Sequence, residues 1–389
     1  MTQLPLIYRG SVKDIHGTKN PDDPLVFEFS DRYSVFDWGE MPDRIEDKGR
    51  ALAFMAWAFF DFLQKPKTWQ DWQLPDGMDR AVYETLCCDG AGTHALGLSD
   101  EQGNLQDKDT PTTCMAVERM NVMMPQSSQQ DGALVWDYSA YKSRPVDTLV
   151  PLEVIFRFGV PEGSSLLKRT ADPAYCKVLG LDKPPVPGDL FERPVIEMST
   201  KLENYDRYLS EEQASDIAGL TTAECRKLKT MTAIIAARLK DLFARTGMQL
   251  WDGKLEFAFV QGDGDERGFR LIDSIGPDEI RLTCNGVQLS KECLRSVYRD
   301  TPWHQATERA KQLADERGVE DWKSICEQEL KQLPPPLPAE AATSVSMLYK
   351  SCADALSKEI YGSEIFGQSW PLEKVAACLD DIKTQARAA

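Results

Sequence analysis

Gly10, Ser11 and Lys13 lie within four residues in the stretch YRGSVKD, residues 8–14. Such a stretch turns tightly and aims a cation at a phosphate, or it is an ordinary turn with an exposed lysine. The Walker spacing G-x-x-x-x-G-K-[ST] is absent there, so the stretch alone does not separate the two readings. A second stretch, LWDGKLEF at 250–257, alternates: Asp252, Lys254 and Glu256 share one face of a strand, while Trp251, Leu255 and Phe257 have the opposite parity. The glycines and aspartates of QGDGDERG mark a hairpin turn before GFRLIDSI. A turn centred between Gly264 and Asp265 sets Glu256 opposite Asp273. Carboxylates about 5 Å apart repel unless a cation lies between them. Mg2+ fits there, since one or two protein carboxylates suffice when substrate phosphates and water complete its shell. A different register would leave a solvated acidic hairpin.

These residues need elements to hold them. LIYRGSV and LVFEFSD read as short strands near the N-terminus, and ALAFMAWAFFDFL at 51–63 reads as a buried helix, too short to span a bilayer. Periodicity is weak from Gln70 to Pro111. CMAVERMNVMM and LVPLEVIFRFG read as strands, separated by a polar, turn-rich excursion at 125–150. The clearest helix is TAECRKLKTMTAIIAARLKDLFARTG: Leu228, Met231, Ile235, Leu239 and Leu242 form one stripe, and Gly247 stands where a helix-ending glycine belongs. After Tyr298 the chain is helical and acidic, with LPPPLP at 333–338 as an elbow.

The chain has 389 residues, enough for two or three domains. Its net charge of −17 argues against broad nucleic-acid binding and against adhesion to an anionic membrane, so an anionic ligand needs a focused site. No secretory leader is read at the N-terminus. Ten cysteines without a C-x-x-C pair fit reduced thiols and a cytoplasmic location, and Cys87–Cys88 read as packing rather than metal ligands beside only three histidines.

YRGSVKD, FEFSDRYSVFD (27–37), VPLEVIFRFGVPEGSSLLKR, IEMSTKLENYD, LWDGKLEFAF, LIDSIGPDEIRL and LSKECLRSVYR (289–299) resemble, in this order, the blocks of SAICAR synthetase, a purine-biosynthesis ligase. The resemblance implies a two-lobed α+β fold: an antiparallel-sheet ATP lobe at 1–115, a central α+β lobe with substrate and metal sites at 116–300, and a helical C-terminal extension at 301–389. It implies an ATP-dependent ligase joining the carboxylate of carboxyaminoimidazole ribonucleotide to the amine of L-aspartate through an acyl phosphate. ATP and Mg2+ are the implied cofactors and small molecules the implied partners, without nucleic acid or membrane; a homo-oligomer stays open.

Residue by residue, the resemblance places Gly10, Ser11 and Lys13 over the ATP phosphates, with Lys13 as the cation. Glu256 and Asp273 match the metal carboxylates, and Asp252 and Lys254 border the reacting groups. Arg157, Ser164 or Ser165, and Arg281 match the ribonucleotide-phosphate site, for which arginine's planar fork is suited. Lys201, Glu203 and Asp206 match a block between the nucleotide and imidazole sites. Asp31, Ser34 and Asp37 match the SDRxSxFD pattern near the substrate. Ser11 stands where most members carry lysine, and Asp273-Ser274 where many carry Asp-Glu. These departures leave room for a paralogue coupling another amine or carboxylate; a small-molecule kinase and a silent binding subunit are the readings from other classes. Because every matched block precedes Arg299, ending the chain there is expected to leave the site residues intact.

Overall fold

The computed structural model describes residues 3–130, 133–262 and 264–388. It is an α+β protein built on antiparallel sheets, and it divides into two units: Met1–Met55, Gly97–Val117 and Thr283–Ala389 form one, Ala56–Leu96 and Glu118–Leu282 the other.

In the first unit, Leu6–Arg9 (β1), Lys13–His16 (β2), Leu25–Phe29 (β3), Ala95–Ser99 (β4) and Cys114–Val117 (β5) form a sheet of order β1-β2-β3-β5-β4. YRGSVKD is the hairpin between β1 and β2, closed by a hydrogen bond from the Gly10 amide to the Lys13 carbonyl at 2.9 Å. A Cβ on Gly10 would come within 2.5 Å of that carbonyl oxygen, so the tight turn requires glycine. The helix Lys48–Leu63 confirms the apolar segment as buried: every residue from Ala51 to Phe60 except Trp57 is inaccessible to solvent or nearly so.

The chain beyond Arg299 is built into this unit. Helices Pro302–Arg317 and Ala339–Tyr361 contribute Trp303, Val345, Leu348, Tyr349 and Cys352 to its interior. Trp303 meets Trp38 edge-on at 5.4 Å between ring centroids, and the Tyr298 hydroxyl lies 2.6 Å from that of Tyr33. The LPPPLP elbow is anchored as well, since the Leu337 amide donates to the Asp43 carboxylate at 2.5 Å.

In the second unit, Gln126–Gln130 (β6) and Ala133–Asp137 (β7) pair as a hairpin, which is the excursion expected from the sequence; residues 131 and 132 at its tip lie outside the described residues. The main sheet is built from Thr148–Gly159 (β8), Leu190–Thr200 (β9), Tyr208–Leu209 (β10), Gln249–Val260 (β11), Gly268–Ile272 (β12) and Ile280–Cys284 (β13), in the order β10-β9-β8-β11-β13 with β12 also on β11. β8 is buried along its whole length, as expected for an apolar strand with neighbours on both sides.

The helix Thr222–Arg245 packs on β8, β9 and β11 with the stripe Leu228, Met231, Ile235, Leu239 and Leu242 buried. A Thr221/Glu224 capping box starts it. Gly247 ends it at φ +81°, with the Gly247 amide on the Ala244 carbonyl and the Met248 amide on the Phe243 carbonyl, a Schellman closure.

One expectation is corrected. Glu256 stands opposite Ile272, not Asp273. The hairpin closes at Val260–Gly268, so its loop is 261–267 with an odd number of residues, and the register slips by one from the even turn assumed. Asp263 within that loop lies outside the described residues. Among the described residues no helix is long and apolar enough to cross a membrane.

Candidate active site

Two clusters of charge occupy one face of the second unit's sheet, and the register creates both. β11 runs against β8 with Asp252 opposite Arg157 and Glu256 opposite Glu153. The first is an attractive pair; the second sets two acids against each other in a buried strand, which requires cations nearby. Four residues separate Asp252 from Glu256, roughly 13 Å along the strand.

Around Asp252 the cations are arginines. The Arg157 guanidinium spans Glu197 at 2.5 Å and Asp252 at 2.8 Å, and donates to the Tyr208 hydroxyl at 3.2 Å. Arg281 donates to Asp252 through Nε at 2.6 Å, and Arg169 reaches Glu197 at 2.8 Å with its guanidinium 3.4 Å from the Tyr208 ring centroid. Three guanidiniums meet two carboxylates, leaving one positive charge in excess. Burial alone would raise the Glu197 carboxyl, but Arg157, the Tyr175 hydroxyl at 2.6 Å and Arg169 hold it below the ordinary glutamate range. Ser164 is buried beside this cluster in the turn leading to Leu166–Arg169, and the Ser165 hydroxyl lies 3.5 Å from the Tyr208 hydroxyl.

Around Glu256 the cations are lysines. Lys201 Nζ lies 2.7 Å from Glu256 and 3.4 Å from Glu153; Lys254 pairs with Glu153 and lies 3.8 Å from Glu256. Burial works against the Lys201 ammonium, yet the charges of Glu256, Asp273 and Glu153 outweigh it and hold the lysine above its ordinary range. Lys254 is raised in the same way, by Glu153 and Glu256 against burial. Glu256 behaves oppositely: burial first, then repulsion from Asp273, push its carboxyl up to about 7 despite both lysines. The two directions are compatible, because two lysines face three carboxylates and the most buried acid is the group that yields. Asp273 follows β12 at φ +66°, a left-handed conformation, and the His94 ring nitrogen Nε2 lies 3.2 Å from its carbonyl oxygen. Ser274, where a second acid was a family alternative, donates instead to Glu279 at 3.2 Å.

Glu203 joins neither cluster among the described contacts; it receives Arg207 at 2.6 Å and the Tyr138 hydroxyl at 3.2 Å. Asp206 is exposed on the turn between β9 and β10.

The remaining expected residues belong to the first unit. Lys13 on β2 lies over the Phe27 ring at 4.5 Å. Arg32, buried, ties the glycine turn together: it donates to the carbonyls of Gly10 and Ser11 and doubly to Asp14. Arg32 belongs to SDRYSVFD, so this segment and the glycine turn are one structure. Asp31 accepts from the Gly49 amide at 2.9 Å, Ser34 from the Gly39 amide at 3.2 Å, and Asp37 pairs with Lys311 at 3.0 Å.

Sequence reasoning missed Glu153, Glu197, Arg169 and Arg32. A signal existed for the first: Glu153 and Arg157 are the charges in the otherwise apolar β8, and a charge in a buried central strand must be paired.

An antiparallel sheet that sets a net-positive arginine pocket beside a lysine–carboxylate pocket equips an enzyme for phosphorylated small molecules. Residues 6–88 and 101–310 match the SAICAR synthetase family, and the chain belongs to that family. It is accordingly an ATP-dependent carboxylate–amine ligase, of the type that makes SAICAR in purine biosynthesis. A protein of Archaeoglobus fulgidus, named provisionally as a phosphoribosylaminoimidazole-succinocarboxamide synthase, is 36% identical over 96% of this chain and 99% of its own. The synthase of that name from Thermoplasma acidophilum is 27% identical over 94% of this chain and all of its own. Among solved structures, SAICAR-synthase from Saccharomyces cerevisiae complexed with SAICAR superposes with a TM-score of 0.55 at 19% identity, covering 94% of this chain and 96% of that one.

Proposed function

We propose that the chain joins the carboxylate of carboxyaminoimidazole ribonucleotide to the amine of L-aspartate, with ATP converted to ADP and phosphate, and that the two charge clusters divide the labour. A carboxylate oxygen attacks the γ-phosphorus of ATP and ADP leaves. The aspartate amine then attacks the acyl carbon, sheds a proton, and phosphate departs with that carboxylate oxygen. The arginine pocket of Arg157, Arg169 and Arg281, with Ser164 and Ser165, takes the ribonucleotide phosphate, because its excess positive charge and planar forks suit a dianion. Lys201 and Lys254 stay protonated and meet charge that develops on the transferred phosphoryl oxygens. Asp252 fixes Arg157 and Arg281, while Glu203 and Asp206 border the nucleotide.

Glu256 and Asp273 would hold Mg2+, which when bound supplies charge neutralisation at phosphate oxygens. The donor set fits: Glu256 and Asp273 supply hard oxygen donors close enough for their charges to repel, and the nucleotide would complete the shell. A carboxyl pushed up to about 7 by burial and then by Asp273 is also one that a cation would restore to the charged form. In the first unit Gly10, Ser11 and Lys13 cover the ATP phosphates, and Ser34 and Asp37 contact substrate. Segments 1–115, 116–300 and 301–389 are the nucleotide, substrate and accessory segments of this reading. An acidic chain with ten free cysteines suits a cytoplasmic enzyme of small molecules.

The observation that carries the proposal is the pairing of a net-positive and a net-negative pocket on one sheet face. The test is ADP release from ATP and the imidazole ribonucleotide with and without L-aspartate. Release that needs both and yields the succinocarboxamide supports it; sustained release without an amine, or with an alcohol acceptor, contradicts it.

A further inference from the structure

The segment 33–38 carries a strained backbone with a visible restraint. Phe36 and Asp37 are consecutive non-glycine residues at φ +53° and +63°, a conformation that L side chains adopt only when their surroundings impose it. The restraint comes from the helix Pro302–Arg317. Lys311 Nζ donates to the Phe36 carbonyl at 3.1 Å and to the Asp37 carboxylate at 3.0 Å, so one ammonium grips both left-handed residues. Seven residues earlier on the same helix face, the His304 ring lies 4.2 Å from the Phe36 ring. The Lys311 ammonium itself lies 5.0 Å from the Trp322 ring, which meets Trp38 edge-on at 5.6 Å. The Asp37 carboxylate is paired with Lys311 yet remains 80% exposed, so a ligand can still reach it while its backbone is fixed. The family match ends at residue 310, so the grip is supplied by the first residue beyond it.

We propose that Lys311 is a positioning residue for the ligase reaction: it holds Phe36–Asp37 in the left-handed conformation and thereby aims the Asp37 carboxylate at substrate. The proposal rests on the reading of Asp37 as a substrate contact. It gives the C-terminal segment a part in substrate recognition.

The experiment compares Lys311→Met, Lys311→Arg, Asp37→Asn and the double variant Lys311→Met/Asp37→Asn, reading KM and kcat for the ribonucleotide and for L-aspartate together with thermal melting. Loss of a charged donor gripping both residues is expected to raise one of these KM values roughly five- to tenfold while kcat changes less than about twofold. Lys311→Arg, which keeps the donors and the charge, recovers most of the loss. The double variant is no worse than Asp37→Asn, because both substitutions remove one effect. A raised KM in Asp37→Asn with no change in Lys311→Met overturns the positioning role and leaves the reading of Asp37 standing. Unchanged KM values in Asp37→Asn overturn that reading and the proposal with it. Losses that multiply in the double variant also overturn the proposal. Should Lys311→Met fail to fold, Lys311→Gln decides by the same readouts.

Discussion

Replacing Glu256 by glutamine separates the charge of that carboxyl from its shape, and its consequences follow from the lysine–carboxylate cluster. In the folded apo protein burial and Asp273 push the Glu256 carboxyl from 4.5 up to about 7. The unfolded chain releases that proton near pH 4.5, the folded chain only near 7. Between those values the folded state binds the extra proton, so wild-type stability falls as pH rises from about 4.5 through about 7. At 1.36 kcal/mol per pH unit the loss reaches roughly 3 kcal/mol by pH 8. Glutamine has no such proton to lose. Metal-free Glu256→Gln is therefore expected to melt with wild type at pH 4.5 and above it at pH 8. With an unfolding entropy near 2.1 cal/mol/K per residue, the gap at pH 8 is about 4 °C. Calorimetry across pH 4.5–8 in the presence of a chelator measures it, and Mg2+-dependent ADP formation by the same variant is expected to fall roughly 10²- to 10³-fold. A gap that does not change with pH, or a variant less stable at pH 8, would refute the electrostatic reasoning; near-normal turnover with the usual Mg2+ requirement would remove the metal role.

Further expectations follow from the other clusters. Arg169→Met leaves Glu197 paired with Arg157 but removes a donor from the pocket proposed for the phosphate; the KM for the ribonucleotide should rise roughly 10- to 100-fold, while an unchanged value places the phosphate elsewhere. Glu224 accepts from Arg267, Arg144 and the Thr221 amide; burial would raise its carboxyl, and the Arg267 guanidinium with the Thr221 and Arg267 amides brings it down to about 2. That depressed value contributes stability above about pH 4.5 that is lost as pH falls toward 2, so Glu224→Gln should cost roughly 3 kcal/mol at pH 7 and the deficit should close below pH 4.5 in urea titrations. A chain ending at Arg299 strips Trp303, Val345, Leu348 and Tyr349 from the interior of the first unit and uncovers Trp38. Each such side chain is worth about 1.5–3 kcal/mol, so the sum is comparable to the roughly 5–15 kcal/mol of a folded domain and the truncated chain should be insoluble or unfolded. A soluble, cooperatively melting truncation would refute that.

Local pattern made much of this legible. The apolar helix, the Schellman-closed helix and the alternating face of β11 are all read from neighbouring residues, since their periods of 3.6 and 2 are properties of short sequence. The slip that put Ile272 rather than Asp273 opposite Glu256 arose in a glycine-rich loop, where several lengths of turn satisfy the same composition. Asp273 acts on the cluster all the same, repelling Glu256 and attracting Lys201 from a left-handed position just past the strand end. Glu197 and Arg169 were illegible for another reason: their pairing spans 28 residues and depends on β9 lying beside β8, a tertiary fact. Arg32 lies in a polar segment with no periodicity to mark it, and only its hydrogen bonds to the Gly10 and Ser11 carbonyls tie it to the glycine hairpin. Chain order likewise gives no sign that the helices after residue 300 group with a unit begun at the N-terminus.

The central claim, that ATP activates a carboxylate for attack by an amine, is tested most directly by following oxygen. Carboxyaminoimidazole ribonucleotide labelled with ¹⁸O in its carboxylate is incubated with ATP and L-aspartate, and both phosphate and organic product are weighed by mass spectrometry. Activation as an acyl phosphate requires one labelled oxygen to leave on the inorganic phosphate and the other to remain in the new amide, in step with ADP. ADP formed with unlabelled phosphate, or without an amide product, would contradict the account.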